Sequence, residues 1–171
     1  MNPRVLILVG SDSDWEVMAE AWTALEDLGI ACEVHVSSAH RTPERTGRLA
    51  REAAGRGIQV IVCGAGAAAH LAGVVAAESE LPVLGVPMAS SDLQGLDALL
   101  STVQMPGGVP VGTLAIGKAG ALNAGLLAAR IIARSDPEVA ARVRAQRERM
   151  AREVESKDAA LQAKVAPARK A

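Results

Sequence analysis

Val5-Leu6-Ile7-Leu8-Val9-Gly10-Ser11-Asp12-Ser13-Asp14 is the stretch that decides the fold. Its first half is an unbroken apolar run, whereas a strand with one wet face would alternate. Such a run marks a strand covered on both faces, as in a parallel sheet flanked by helices. Gly10 ends the run, and Ser11 to Asp14 supply the capping chemistry for a helix placed directly behind it. A strand handing over to a helix through glycine and short polar residues is half of a βα unit.

The handover recurs along the chain. The first helix reaches about Leu28 and stops at Gly29. Ile30 to Val36 reads as a second strand, followed by Ser37-Ser38-Ala39-His40-Arg41-Thr42-Pro43, with the proline suited to a first helical turn. Ile58 to Cys63 is a third strand, ending in Gly64-Ala65-Gly66, and Ala67 to about Ser79 is helical by composition. Leu81 to Val86 is a fourth strand, closed by Gly85-Val86-Pro87. Gly95 to about Val103 is a short helix or turn, Met105 to Pro110 a loop by its proline and glycine content, Val111 to Ile116 a fifth strand, and Lys118 to about Ala133 a helix of small residues. Strand–helix alternation of this kind predicts an α/β three-layer sandwich around a parallel sheet. Right-handed crossovers are nearly obligatory, and five strands suit the flavodoxin-like order 2-1-3-4-5, where ligands sit outside the carboxyl ends of the strands. Four polar or glycine clusters at that one edge are therefore expected to converge.

Ser135-Asp136-Pro137-Glu138 starts a further helix: a cap, a proline in the first turn and an early acid. Beyond it Val139, Val143, Met150 and Val154 form one narrow apolar stripe in a sequence rich in Arg, Glu, Ala and Lys. The expected organisation is a catalytic domain over residues 1–134 and an extra C-terminal helix over 135–165, lying on its own domain or on a neighbouring subunit. Residues 166–171 read as a disordered tail.

The chain has 171 residues, half of them hydrophobic, with no Phe or Tyr and two Trp. Such a core must be built from Ala, Val, Leu, Ile and Gly, which lets elements approach closely and leaves part of the stability to subunit contacts. A net charge of −1 offers no electrostatic footprint for nucleic acid. No apolar run is long enough to span a membrane, and the first residues lack the pattern of a signal peptide. Cys32 and Cys63 lie within strands and read as buried thiols of a cytoplasmic protein.

Which residues carry chemistry follows from the strand ends. Gly10 to Asp14 offers an anion the backbone amides and dipole of a helix start, with Ser11 and Ser13 as hydroxyl donors. Asp12 and Asp14 repel phosphate but suit ribose hydroxyls; a plain helix cap is an equally good reading of this stretch alone. Arg41 can clamp a phosphate bidentately. His40 beside it is the one plausible general acid or base, while an isolated histidine there would be an exposed loop residue. Gly64 and Gly66 let backbone approach a ligand, and His70, one turn into the expected helix, either points back to the cleft or sits on the helix surface. His35, inside a strand, reads as structural. Lys118 lacks the P-loop spacing and hydroxyl and reads as a helix-start lysine. Nothing has metal-ligand spacing, and the glycine spacing is not that of a dinucleotide fold.

Taken together these motifs resemble the PurE family: Gly10-Ser11-x-Ser13-Asp14, Ser38-Ala39-His40-Arg41-Thr42-Pro43, Gly64-Ala65-Gly66-Ala67-Ala68-Ala69-His70-Leu71, and the run from Val103-Gln104-Met105-Pro106 to Asn123-Ala124. The likeness spans about residues 4 to 133, and the Gly-Ala-Gly-x-Ala-Ala-His form is similar to the class I branch. That branch moves a carboxylate from the exocyclic amine of N5-carboxyaminoimidazole ribonucleotide to ring carbon 4 in purine (IMP) synthesis. The resemblance implies a homo-octamer with sites shared between subunits, no cofactor and no metal. It also implies a functional link to the ATP-dependent carboxyaminoimidazole ribonucleotide synthase. By the same resemblance Ser11, Ser13 and Arg41 hold the substrate phosphate, Asp14 the ribose, and His40 transfers the proton. Ser38, Gly66, His70 and Leu71 border the imidazole and the migrating carboxylate. Direct CO2-dependent carboxylation of aminoimidazole ribonucleotide, and a non-catalytic nucleotide-binding module, are the alternatives. Ala67 stands where the family commonly has Gly, and Ala72 where it commonly has Pro; Ala67 would be strained at positive φ.

Overall fold

A computed structural model describes residues 2–165; the tail expected at 166–171 lies outside the described residues. Five parallel strands, β1 (Val5–Val9), β2 (Cys32–Val36), β3 (Val60–Gly66), β4 (Val83–Met88) and β5 (Gly112–Thr113), form one sheet in the order β2-β1-β3-β4-β5. This is the order expected from the alternation. Among the described residues six α-helices complete the layers: α1 (Trp15–Glu26), α2 (Pro43–Ala53), α3 (Leu71–Glu78), α4 (Leu96–Val103), α5 (Lys118–Ile132) and α6 (Pro137–Val165). Among the described residues no helix is long and apolar enough to cross a membrane.

β1 shows why the apolar run is continuous. Val5, Ile7 and Val9 face a cluster built with Met18, Ala21 and Leu25 of α1 and Ala121, Ala124 and Ala128 of α5. Leu6 and Leu8 face the other way, onto Ala50 and Ala53 of α2 and Leu71, Ala72 and Val75 of α3. All five are buried, and burying a Val, Leu or Ile side chain contributes roughly 1.5–3 kcal/mol. The small-residue core has the consequence expected of it. A Cβ on Gly125 of α5 would lie 2.6 Å from the Ala21 carbonyl oxygen of α1, so these helices meet at backbone distance.

Several boundaries differ from the sequence reading: β2, β3 and β4 each begin two residues later than expected, and α1 ends at Glu26 rather than about Leu28. β5 has two residues rather than the six of Val111 to Ile116. The chain still follows β4 past it, since Leu114 N–H donates to Gly85 O and Gly117 N–H to Pro87 O, but the intervening residues are not in register. α3 begins at Leu71 rather than Ala67, because Ala67 takes a left-handed φ of +51° that a right-handed helix cannot include. β3 runs on to Gly66 rather than stopping at Cys63. β4 likewise continues to Met88, so Gly85-Val86-Pro87 lies inside a buried strand and not at its end.

Register brings the remaining strand ends level. Val9 pairs with Val36 on one side and with Gly64 on the other. Gly10 and Ser37 therefore leave the sheet level with Gly64, and β3 carries Ala65 and Gly66 on past the same edge.

Candidate active site

At that edge lies a cleft of about 360 Å³ whose walls include all nine candidate residues: Ser11, Ser13, Asp14, Ser38, His40, Arg41, Gly66, His70 and Leu71. The fourth expected cluster does not reach it. Its place is taken by Ser90, just beyond β4. The sequence reading missed this residue because it ended the strand two residues early.

The first wall is the turn between β1 and α1. Asp12 to Asp14 form a single 3-10 turn before α1 begins at Trp15. Asp14 Oδ2 accepts a hydrogen bond from Ser11 N–H at 3.1 Å, so this carboxylate is a cap and a cleft residue at once. Ser11 Oγ donates to Asp12 Oδ1 at 3.1 Å, and Ser13 Oγ donates to Ser11 Oγ at 3.0 Å. Asp14 is only 8 % exposed. Burial pushes its carboxyl above the usual range; the Ser11 amide pulls it back, and the Asp12 charge adds to the rise.

The second wall is the β2–α2 turn. Thr42 N–H and Thr42 Oγ1 both donate to Ser38 O, at 2.8 and 2.9 Å, and Ser38 N–H donates to Thr42 Oγ1 at 3.1 Å. Behind this turn the Ser37 hydroxyl meets Thr46 Oγ1 at 2.8 Å in a buried contact. Thr46 gives its own proton to Thr42 O, so Ser37 is the donor there. The tight turn presents His40 and Arg41 together. Arg41 N–H donates to Ser38 Oγ at 3.2 Å, and the Arg41 guanidinium reaches the Gly10 carbonyl at 3.2 Å, which sets its charge beside the Ser11 and Ser13 hydroxyls.

The third wall is Gly66 to Leu71. A Cβ on Gly66 would lie 1.8 Å from Ser90 Oγ, so glycine is required for the serine to pack here. The left-handed Ala67 turns the chain, and Ala69 N–H and His70 N–H donate back to Ala67 O and Ala68 O at 2.8 Å. His70 consequently caps α3 rather than sitting one turn inside it. From there its Nδ1 lies 2.7 Å from His40 Nε2, the rings nearly perpendicular at a centroid separation of 4.9 Å. One facing nitrogen must donate and the other accept, so the contact cannot hold a proton on both. A single hydrogen bond therefore joins the two imidazoles.

Other conspicuous residues are structural. His35 Nε2 contacts Glu33 at 2.7 Å, and Arg56 contacts the same carboxylate at 3.2 Å. Lys118 starts α5 and pairs with Glu16 at 3.5 Å. Burial raises the Cys32 thiol to about 12, with Glu26 adding to the rise, and burial also raises that of Cys63. Among the described residues no cluster of His, Cys, Asp and Glu could hold a metal ion.

The chain matches the family model described as AIR carboxylase over residues 4–153. It is 56 % identical over 161 residues to a Mycobacterium tuberculosis protein named N5-carboxyaminoimidazole ribonucleotide mutase, covering 94 % of this chain and 91 % of that one. A Thermotoga maritima protein of the same name is 55 % identical over 152 residues, covering 89 % and 88 %. The crystal structure of Treponema denticola PurE superposes with a TM-score of 0.85 at 29 % identity, covering 94 % of this chain and 99 % of the other. With the family model spanning the whole sheet and the relatives spanning nearly the whole chain, the chain belongs to the AIR carboxylase, or PurE, family.

Proposed function

We propose that the protein is an N5-carboxyaminoimidazole ribonucleotide mutase, an isomerase of de novo purine synthesis. It moves a carboxylate from the exocyclic amine to ring carbon 4. Relatives 54–56 % identical over most of the chain carry that name. The observation that carries the mechanism is the His40–His70 contact in a cleft with serine hydroxyls and a guanidinium at one end and a bare glycine backbone at the other.

In this reading Ser11, Ser13 and Arg41 take the phosphate, and Asp14 accepts from a ribose hydroxyl. Arg41 supplies charge-assisted hydrogen bonds, which are roughly twice as strong as neutral ones. The imidazole ring then lies between His40 and the Gly66–Leu71 wall, with Ser38 at its border. The carbamate N–C bond breaks as its electron pair returns to nitrogen and His40 delivers a proton there, leaving CO2 and the neutral amine. The electron-rich ring carbon attacks the CO2, forming the new C–C bond. His40, now a base, removes the proton from that carbon and restores aromaticity. One group serves both halves because the proton given in the first is recovered in the second. His70 holds the His40 ring in orientation through the hydrogen bond between them. CO2 must remain in the cleft between the halves, which requires the site to exclude water while it is free.

Within the same reading the protein works in the cytoplasm as a homo-octamer. It receives its substrate from an ATP-dependent carboxyaminoimidazole ribonucleotide synthase. Purified protein given substrate labelled in the carbamate carbon tests the activity. Label should appear on ring carbon 4 without dilution by unlabelled bicarbonate. Washout of the label, with turnover from aminoimidazole ribonucleotide and bicarbonate, would instead assign a direct carboxylase.

A further inference from the structure

One hydroxyl of the cleft has no part in the mechanism above. Four serines stand in its walls: Ser11, Ser13, Ser38 and Ser90. Ser11 Oγ donates to Asp12, Ser13 Oγ donates to Ser11, and Ser38 Oγ accepts from the Arg41 amide. Ser90 Oγ alone of the four makes no hydrogen bond to a described residue.

The hydroxyl is nevertheless held in place. It stands so near Gly66 that any side chain there would collide with it. Behind it the chain folds into a tight turn, in which Gln94 N–H donates to Ser91 O at 2.9 Å and Leu93 N–H to Ser91 Oγ at 3.2 Å. A Cβ on Gly95 would lie 3.2 Å from Met88 O, so this turn is pressed back against the end of β4. Among the described residues two that are not glycine have a positive φ, Ala67 at +51° and Gln94 at +49°. Ala67 follows Gly66, and Gln94 belongs to the turn that Ser90 leads into. Backbone strain of this kind persists only where the surroundings enforce it, and it gathers at the working parts of sites. Here both strained residues flank one contact, Gly66 against Ser90.

The place suits the group that moves. The phosphate is assigned to Ser11, Ser13 and Arg41, and the migrating carboxylate to the wall that holds Gly66. That carboxylate is an anion on the amine, then neutral CO2, then an anion on carbon. A cation beside it would hold both anions more tightly than the CO2 between them and so raise the barrier. A neutral hydroxyl can bond an oxygen of all three.

We infer that Ser90 holds the migrating carboxylate: its hydroxyl donates to one carboxylate oxygen, and Gly66, bare of a Cβ, leaves room for the group. The inference rests on the mutase reading and adds a residue to it. As the electron pair of ring carbon 4 forms the new C–C bond, one C=O π pair of CO2 moves onto oxygen. Ser90 stabilises that oxygen and keeps its own proton. Between the two halves the same hydrogen bond keeps CO2 beside the ring carbon.

The test is Ser90→Ala in the full chain. Ser90 is exposed and its hydroxyl bonds no described group, so the melting temperature should not change. With substrate labelled in the carbamate carbon, kcat should fall roughly 10–10²-fold while KM stays within about threefold, as for a group that acts mainly in the transition state. Part of the label should escape as CO2, leaving aminoimidazole ribonucleotide, whereas the unaltered protein delivers it to ring carbon 4. Binding gives a readout that needs no turnover. The 4-carboxy product should bind the variant roughly 10-fold more weakly, the loss of one hydrogen bond to a charged group. Aminoimidazole ribonucleotide, which has no carboxylate, should bind both proteins equally. Unchanged turnover with full label recovery, an equal loss of affinity for both ligands, or a lowered melting temperature would overturn the role of Ser90 and leave the mutase standing. An unaltered protein that moves no label to ring carbon 4 would sink the mutase reading and this role with it.

Discussion

At the scale of single residues the site is a set of compromises between binding and stability. His40 has the most to lose. His40→Asn should leave nucleotide binding within a few-fold and lower turnover by roughly 10²–10⁴, the usual range for a general acid–base. Quenching of Trp15, which follows Asp14 at the cleft, offers a binding readout alongside labelled turnover; full turnover would remove His40 from the mechanism. Asp14 is costly where it stands. Its carboxyl is raised in the folded chain, so the fold binds that proton more tightly than the unfolded chain does. This contribution to stability therefore falls as pH rises through the range above 3.8, and the penalty is complete above the folded value. Asp14→Asn keeps an acceptor for the Ser11 amide and sheds the charge. It should raise the melting temperature at pH 7, with the gain fading towards pH 4, while KM worsens. Ala67 pays in backbone strain: its left-handed φ brings Cβ against a carbonyl oxygen, costing about 1–2 kcal/mol. Ala67→Gly should recover about 1 kcal/mol in urea unfolding, part of the relief being offset by glycine's freedom in the unfolded chain. Ala72, the other departure from the family pattern, sits in the first turn of α3, where a proline's missing N–H would not be missed. The helix backbone at this position therefore accepts either residue.

At the scale of elements, close approach is the recurrent device. α1 and α5 touch at Gly125 and Ala21 with no room for a methyl group. Gly125→Ala must push two helices apart, and should cost about 1–3 kcal/mol in chemical denaturation despite the better helix propensity of alanine. An unchanged midpoint would mean that the helices are not seated as described. The start of α6 depends on Asp136, which accepts from Glu138 N–H and Val139 N–H at 3.0 and 3.1 Å and pairs with Arg4 ahead of β1. The Arg4 hydrogen bond, ahead of the Val139 amide, holds the Asp136 carboxyl below its usual range. A depressed folded value stabilises the fold above the unfolded value of 3.8, and that benefit is lost as pH falls through the folded value. Asp136→Ala should lower the melting temperature at pH 7, and the difference from the unaltered chain should close below pH 4.

At the scale of the whole molecule, the core without Phe or Tyr and the exposed apolar side chains of α4 and α6, among them Leu96, Leu100, Met150 and Val154, point the same way. In the octamer reading the melting temperature should rise with protein concentration, because association draws the folded state forward by mass action. A melting temperature constant across a hundredfold range of concentration would argue for a fold that stands alone. Much of this molecule was legible beforehand. The apolar run Val5–Val9 required cover on both faces, and alternation required the parallel order that the sheet has. Ser11, Arg41, His40, Gly66 and His70 could be named because strand ends of a parallel sheet must share an edge. What could not be read was where chains stop following a strand. β4 runs to Met88 because its ladder with β3 continues to Gly66, a pairing between distant residues, and this decided that Ser90, not Pro87, reaches the cleft. The position of His70 depended on the sign of one φ, at Ala67, which no side-chain pattern encodes. By itself, then, the sequence determined the layers, the strand order and which polar residues meet at the cleft, since these follow from local periodicity and residue chemistry. Only the tertiary structure decided that His40 and His70 touch, because two residues thirty positions apart must be folded back together before their rings can share a hydrogen bond.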